Sequence, residues 1–272
     1  MTKRALRYES APARRAWILS ALRTSGFLAV SGLVHDLGVS GMTVRRDLRR
    51  LEETGEVSVV RGGVSLRHGI LRTPDLLNRA GENADAKRRI ALRASMLVRA
   101  NDTIAVDSGT SAYALAAALP DCFVGSVITP SVPVIQLMLN RPRTRLVGLG
   151  GDLMPSSQAF VGPMTVEAAS RLRVRRYFLG TMAVDHGGCY VHTDVERPTK
   201  QVLMDIADDV VLLADFEKFH KSAPVRLCPL ERLTALVTDR EPPQRVAAAL
   251  KAADVKVLIA DDLGYELGTE GA

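Results

Sequence analysis

Apolar residues recur at helical spacing three times within the first quarter of the chain, and each recurrence ends at a glycine. The first run places Trp17, Ile18 and Leu22 on one side of a helix. Ser31 and Ser40 stand where serine caps a helix N-terminus, and glycine suits the left-handed conformation that ends a helix. The pattern predicts helices at 14–24, 31–37 and 41–54, ended by Gly26, Gly38 and Gly55.

The third predicted helix has one apolar face and one basic face. Val44, Leu48 and Leu51 fall in a single stripe, which places the arginines of RRDLRR on the other side. A basic helix after a short capped helix is typical of a helix-turn-helix, whose second helix enters the major groove. Taken alone, the arginine run is equally typical of a solvated helix surface. The residues expected to contact DNA are Ser40, Met42, Thr43, Arg45, Arg46, Arg49 and Arg50.

Two β-rich runs follow this helix, at 56–60 and 64–67, with Arg61, Gly62 and Gly63 between them. This spacing predicts an antiparallel ribbon with Arg61 at its tip, where the side chain could reach a phosphate or a minor groove. Helix, short helix, basic helix and ribbon in this order predict a winged helix-turn-helix at residues 1–67 that binds double-stranded DNA.

The charge distribution favours a DNA-binding head joined to a body with another task. Residues 1–67 hold 12 Lys and Arg against 6 Asp and Glu, while the rest of the chain holds 24 against 24, so the net charge of +6 belongs to the first quarter. Residues 68–84 contain Pro74, two glycines and weak periodicity, which predicts a linker. A second domain is expected at 85–272.

Several classes of protein are disfavoured by the sequence. It has no apolar run long enough to span a membrane, and its first residues lack the features of a secretion signal, so we expect a cytoplasmic protein. Cys122, Cys189 and Cys228 are widely spaced and are expected to be reduced thiols. The five histidines are scattered without the spacing of metal ligands, so neither a metal nor a cofactor is expected.

From Thr103 onward, apolar β-rich runs alternate with helical segments: TIAV, FVGSVIT and DVVLLAD are examples of the first kind, and SAYALAAAL and QRVAAALKAA of the second. This alternation predicts an α/β domain with a mainly parallel sheet. Ligands of such domains bind beyond the carboxyl ends of the strands, so the loops after the strands are the candidate sites.

The loop after the first strand of this domain, DSGTS, combines backbone N–H groups, hydroxyls and a helix N-terminus, as a phosphate site requires. An ordinary capped turn has the same composition. The loops at Thr129 and Gly150 could close on the same ligand, and Lys218 could bind a phosphate or a sugar oxygen. Glu196 and Lys200 are further candidates, although a surface ion pair is the simpler interpretation. The expected effector-binding residues are Asp107, Ser108, Gly109, Thr110, Ser111, Thr129, Ser131, Gly150, Gly151, Glu196 and Lys218.

The stretch LGVSGMTVRRDLRRLEETGEVSVVRGG, residues 37–63, resembles the N-terminal signature of the DeoR family of bacterial transcription regulators. DSGTS, the GLGG turn, Gly162 and the run LADFEKF resemble the effector domain of that family. The resemblance implies a body similar in fold to ribose-5-phosphate isomerase, a phosphorylated sugar as effector, DSGTS as its phosphate loop and Lys218 as a polar contact. The chain departs from the family pattern at Pro130, where the family has Asn, and at TMAVDHGG, residues 181–188.

The function expected from these patterns is a sequence-specific transcription regulator, a repressor of carbohydrate genes that responds to a sugar phosphate as a dimer or tetramer. One alternative is a sugar-phosphate isomerase or deaminase with a DNA-binding head, in which Asp107, Asp185, Glu196 or Asp215 would supply the acid and base. Another is a constitutive DNA-binding oligomer whose pocket is degenerate. No catalytic residue is predicted.

Overall fold

The computed structural model describes residues 10–25, 27–60, 62–66 and 74–260. We call residues 10–66 of this description the head and residues 74–260 the body. The elements of the head are α1 (Ala11–Ser25), β1 (Phe27–Ala29), α2 (Val30–Leu37), α3 (Gly41–Glu53), β2 (Val57–Val60) and β3 (Gly63–Leu66).

The three helices of the head enclose one apolar cluster, which includes Ile18, Leu22 and Leu37. The stripe predicted on α3 is confirmed, because Val44, Leu48 and Leu51 are all buried. A second contact is ionic: Arg14 Nε lies 2.7 Å from Asp47 Oδ2, and both side chains are nearly inaccessible to water. The buried pair fixes α1 against α3, so the polar face of α3 is held outward.

Both ends of the connection between α2 and α3 are as the sequence predicts. Gly38 adopts a left-handed conformation with φ of 62°, which ends α2. The Ser40 hydroxyl accepts a hydrogen bond of 3.2 Å from the Thr43 amide and so caps α3.

Two details of the head differ from the prediction. Ser31 does not cap α2, because the helix begins one residue earlier at Val30 and its N-cap, Ala29, has no side chain to offer. The Ser31 hydroxyl lies instead 3.5 Å from the Asp85 carboxylate of the body. The three-residue strand β1 was not predicted; it pairs with β3, which pairs with β2, so the wing is a three-stranded antiparallel sheet. Arg61, the predicted wing tip, lies outside the described residues.

The segment predicted as a linker contains a helix, α4 (Pro74–Gly81). Leu76 and Ala80 of this helix are buried in a core cluster of the body. Tertiary packing therefore orders a segment whose own periodicity is weak.

The body is built from helices and strands in alternation. Its remaining elements are α5 (Ala84–Ser95), β4 (Thr103–Val106), α6 (Thr110–Ala117), β5 (Ser126–Thr129), α7 (Val132–Met138), β6 (Arg145–Gly148), β7 (Asp152–Met154), β8 (Ala159–Val161), α8 (Pro163–Ser170), β9 (Val174–Gly180), β10 (Ala183–Asp185), β11 (Gly188–Val191), α9 (Arg197–Asp205), β12 (Ala207–Leu213), β13 (Val225–Cys228), β14 (Ala235–Thr238), α10 (Gln244–Ala252) and β15 (Lys256–Ile259).

The main sheet has seven strands in the order β15-β14-β12-β9-β4-β5-β6, and every neighbouring pair is parallel. Alternate residues of each strand enter two apolar clusters, one beneath α5, α6 and α7 and the other beneath α8, α9 and α10. The predicted mainly parallel α/β body is thus confirmed. The chain leaves β4 in one direction and β9 in the other, which makes the carboxyl ends of these two strands the topological switch point.

Two smaller sheets flank the main one: the hairpin β7-β8, and the antiparallel sheet β10-β11-β13, in which Cys189 stands opposite Cys228. Cys189 and Cys228 are buried and Cys122 is exposed, and all three are free thiols. None of the helices in the described part of the chain combines the length and the hydropathy needed to cross a membrane.

Candidate functional site

The outer face of α3 presents a cluster of positive charge to solvent. Arg45, Arg46, Arg49 and Arg50 are all exposed. Within the described ranges Arg50 pairs with Glu53 at 3.0 Å, while the other three arginines form no ion pair. The major groove of DNA admits an α-helix, and exposed guanidinium groups on such a helix can contact phosphates and base edges.

The N-terminal end of the same helix offers an apolar contact as well. Met42 is 76% exposed, so its side chain is accessible from outside the head. The Ser40 hydroxyl lies 2.9 Å from the Thr43 hydroxyl, so both are held at the start of the helix. An exposed apolar side chain beside hydroxyls and arginines can contact a thymine methyl group and the neighbouring base edges.

The body has a cleft at its topological switch point, with a volume of about 190 Å³. One wall is the turn from β4 to α6, another is the turn after β9, and a third is the end of α4. Five cationic and two anionic side chains line it. Its lining includes Arg79, Glu82, Lys87, Ser108, Gly109, Thr110, Ser111, Gly180, Thr181, His192, Glu196, Lys200, Lys218 and Lys221.

The turn from β4 to α6 directs a helix N-terminus into the cleft. Gly109 is the N-cap of α6 with φ of 102°, a conformation that glycine adopts without strain. No side chain caps this helix, so the first amides keep their capacity to donate hydrogen bonds. Together with the hydroxyl of Ser108, these donors form a site for a small anion.

Asp107 lies beneath this turn and connects the two strands of the switch point. Its side chain is 1% exposed and forms an ion pair with Lys200 of α9, which is also buried. The same carboxylate accepts a hydrogen bond of 2.8 Å from the Gly180 amide at the end of β9. Lys200 in turn donates to the Gly180 carbonyl at 3.2 Å. The charge of Asp107 is therefore satisfied inside the protein, and its position fixes both turns of the cleft.

Two lysines of the cleft have a pKa below the usual value for lysine. Burial lowers the pKa of Lys87 from 10.5 to about 8, against the attraction of Asp215. Burial also lowers the pKa of Lys218, which faces Asp215 and Lys221. A bound anion would offset this desolvation and favour the ammonium forms. The cleft is thus electrostatically suited to an anionic ligand.

Comparison with known families agrees with both halves of this description. Residues 82–240 match the family model described as the DeoR C terminal sensor domain, and residues 14–69 match that of the DeoR-like helix-turn-helix domain. The chain belongs to the DeoR family. The head is accordingly the DNA-binding domain of a transcription regulator, and the body is its sensor domain.

Two repressors are similar to this chain over more than four fifths of its length. The glycerol-3-phosphate regulon repressor of Escherichia coli is 27% identical over 238 residues, which are 87% of this chain and 94% of the relative. The lactose phosphotransferase system repressor of Staphylococcus epidermidis is 30% identical over 226 residues, or 82% and 89% of the two chains. By their names, both relatives are repressors.

Among solved structures, ribose 5-phosphate isomerase A from Methanocaldococcus jannaschii aligns with a TM-score of 0.38 and 18% identity. It covers 50% of this chain and 55% of the isomerase. A score of this size carries no argument about chemistry.

The DeoR sensor cleft contains six of the predicted effector-binding residues. These are Ser108, Gly109, Thr110, Ser111, Glu196 and Lys218. Asp107 lies behind the cleft wall, as described above.

The other four predicted residues lie elsewhere at the carboxyl edge of the sheet and serve internal contacts. Thr129 is fully buried and donates a 2.7 Å hydrogen bond to the Val106 carbonyl. The Ser131 hydroxyl caps α7 by accepting from the Val134 amide. The Gly150 carbonyl accepts from the Thr165 hydroxyl, and Gly151, with φ of 137°, packs against that side chain.

Residues of α4 and α5 line the cleft although sequence reasoning missed them. Arg79, Glu82 and Lys87 belong to the segment before the first strand of the body. Arg79 lies at the end of α4, Glu82 in the turn after it and Lys87 in α5, so no single helical pattern unites them. Tertiary contacts rather than a local pattern bring these residues to the cleft.

Proposed function

We propose that the protein is a cytoplasmic repressor that binds operator DNA through its head and leaves it when the sensor cleft binds a phosphorylated sugar metabolite. The named relatives support this reading, since they are repressors of a glycerol-3-phosphate regulon and of a lactose phosphotransferase system. A dimer or tetramer would place two heads on a repeated operator site.

The observation that carries the proposal is the composition of the cleft. Uncapped amides of α6 and the hydroxyl of Ser108 lie across a small volume from Lys218 and Lys221. Helix N-termini and lysines are the usual partners of a phosphate group. The hydroxyl groups of a sugar would have Glu196 and His192 as hydrogen-bonding partners on the facing wall.

We further propose that the cleft senses its ligand without converting it. An isomerase or deaminase needs an acid and a base that face the reacting atoms. Of the four carboxylates considered for that role, Glu196 lines the cleft, while Asp107 is paired with Lys200. Asp215 is buried and accepts a 3.0 Å hydrogen bond from Asn83, and Asp185 accepts from the Gly187 amide. Glu82, the second carboxylate of the lining, pairs with Lys221.

The test is a titration of the full chain on DNA from its own promoter region, with and without a panel of sugar phosphates, while consumption of each compound is measured. We expect one compound to release the DNA without being consumed. Binding that no compound changes would favour a constitutive DNA-binding protein. Consumption of a compound would favour the enzyme and contradict the proposal.

A further inference from the structure

The helix α4 lies between the wing and the cleft and contacts both. It packs against β2 and β3 of the wing on one side and against α6 of the body on the other. Leu76 and Ala80 anchor it in the core of the body. The end of α4 and the residue after it, residues 79–82, therefore lie between the sensor cleft and the wing.

The backbone of this turn is tied to the anion-binding loop. The Arg79 carbonyl accepts a hydrogen bond from the Thr110 hydroxyl at 3.4 Å and another from the Lys87 ammonium. Lys87 also donates to the Glu82 carbonyl. Because these donors occupy carbonyls at the end of α4 and just after it, the end of the helix is fixed relative to the N-terminus of α6.

The side chain of Arg79 reaches into the cleft itself. It lines the cleft beside Ser108, Gly109 and Thr110, and its Nη2 donates to the Ser156 carbonyl at 3.0 Å. A guanidinium group has five N–H donors, so it can serve more than one acceptor at a time. Its planar fork matches two oxygens of a phosphate, which a lysine cannot reproduce.

The other side of the same turn touches the wing. Gly62, in the turn between β2 and β3, has φ of 90°, and a Cβ atom there would overlap the carbonyl oxygen of Gly81. The Gly62 carbonyl accepts a 3.0 Å hydrogen bond from Val30, the first residue of α2. A shift of the last turn of α4 would thus be transmitted to the wing turn and to the helix that precedes α3.

We propose that Arg79 is an effector-binding residue, whose guanidinium binds the phosphate of the effector together with the N-terminus of α6. Through the contact of Gly81 with Gly62, occupancy of this subsite changes the position of the wing. The inference rests on the proposed function and adds to it a residue from outside the recognised phosphate loop. It also names the atoms by which the two domains communicate.

The experiment uses inorganic phosphate as the probe and the full chain as the protein. Arg79→Gln, Arg79→Lys and the control Arg88→Gln are compared with the unchanged chain; Arg88 is an exposed arginine of α5 that approaches Asp85. Phosphate affinity is measured by calorimetry, with chloride at matched ionic strength as the blank. Thermal unfolding without phosphate shows whether each variant is folded.

We expect Arg79→Gln to bind phosphate about tenfold to a hundredfold more weakly, as for the loss of hydrogen bonds to a charged group. Arg79→Lys should recover part of this loss, and Arg88→Gln should bind as the unchanged chain does. Undiminished phosphate affinity in a folded Arg79→Gln variant would overturn the assignment. Failure of the unchanged chain to bind phosphate or any sugar phosphate would instead overturn the proposed function.

A second variant, Gly62→Ala, tests the contact with the wing. The substitution changes no side chain of the cleft, so the variant should still bind phosphate, while the ratio of operator affinities with and without the releasing compound should change. An unchanged ratio in this variant would contradict the proposed route through Gly81 and Gly62.

Discussion

The basic face of α3 and the cleft of the sensor domain use the same residue types under opposite conditions. Arg45, Arg46 and Arg49 extend into water, whereas Lys87 and Lys200 are almost wholly buried. Exposed cations keep their full charge at low cost and attract any polyanion, with a strength that falls as salt rises. Removing a cation from water costs free energy, so each buried cation needs a partner within hydrogen-bonding distance.

This difference separates two kinds of selectivity. On α3, specificity has to come from the shape of the groove and the base edges that the side chains meet, because the charges themselves do not discriminate. In the cleft, Lys87 and Lys200 already donate hydrogen bonds to carbonyl and carboxylate oxygens of the protein. Binding is therefore favourable only for an anion whose shape fits the donors that remain. The following predictions test the comparison, from the largest expected effect to the smallest.

The largest effect is expected from Asp107→Ala. Removing this carboxylate leaves the Lys200 ammonium buried without its counter-ion, which typically costs about 3–5 kcal/mol of unfolding free energy. Urea unfolding of the variant and the unchanged chain measures the difference. The control is Asp208→Ala, since Asp208 is half exposed and pairs with the exposed Arg173, so a change of less than about 1 kcal/mol is expected there. Equal stability of Asp107→Ala and the unchanged chain would show that the pair is not a structural centre of the cleft.

A smaller effect is expected from Arg46→Ala on operator binding. Loss of a groove contact should weaken binding by about 1–3 kcal/mol if Arg46 meets a base edge, and should reduce the salt slope by about one if it meets a phosphate. Operator affinity measured over a series of salt concentrations distinguishes the two. Arg245→Ala, on the exposed side of α10, serves as the control of equal charge. Unaltered affinity and slope for Arg46→Ala would mean that another face of the head meets the DNA.

The smallest effect is expected from pH in the cleft. Lys87, with a pKa of about 8, is attracted by Asp215 and Glu82 and repelled by Lys218 and Lys221. A bound phosphate favours the ammonium form, so its pKa should rise on binding and a fraction of a proton should be taken up above pH 8. Phosphate affinity should therefore fall as pH rises through 8, by about tenfold or less.

Calorimetry at a pH just above 8, in two buffers of different ionisation heat, measures the proton uptake directly. Lys251→Met, on the surface end of α10, should leave the uptake unchanged. Binding without any proton uptake would show that phosphate does not approach Lys87.

The sequence predicted the parts of the molecule whose residues act locally. The Ser40 cap, the glycine that ends α2 and the buried stripe of α3 all follow from spacing within a few residues, and the parallel sheet follows from alternating strands and helices. Relations across the chain were not predictable in this way. The sequence predicts that Asp107 contacts the ligand because it precedes SGTS. In the structure its partner is Lys200, which is 93 residues away along the chain. Arg79 lies in a segment of weak periodicity that only tertiary contacts order.

The close approach of Gly62 to Gly81 bears on how regulators of this type can be recombined. A chimaera joined between residues 67 and 73 would keep each domain whole by its sequence, yet it would set a foreign helix against the wing turn. A joint placed after Gly81 would transfer the wing together with α4, the helix against which it packs. Because Leu76, Ala80 and Arg79 of α4 pack in the body, each joint separates α4 from one of its two neighbours, and a chimaera needs the wing, α4 and the body surface around it from compatible chains.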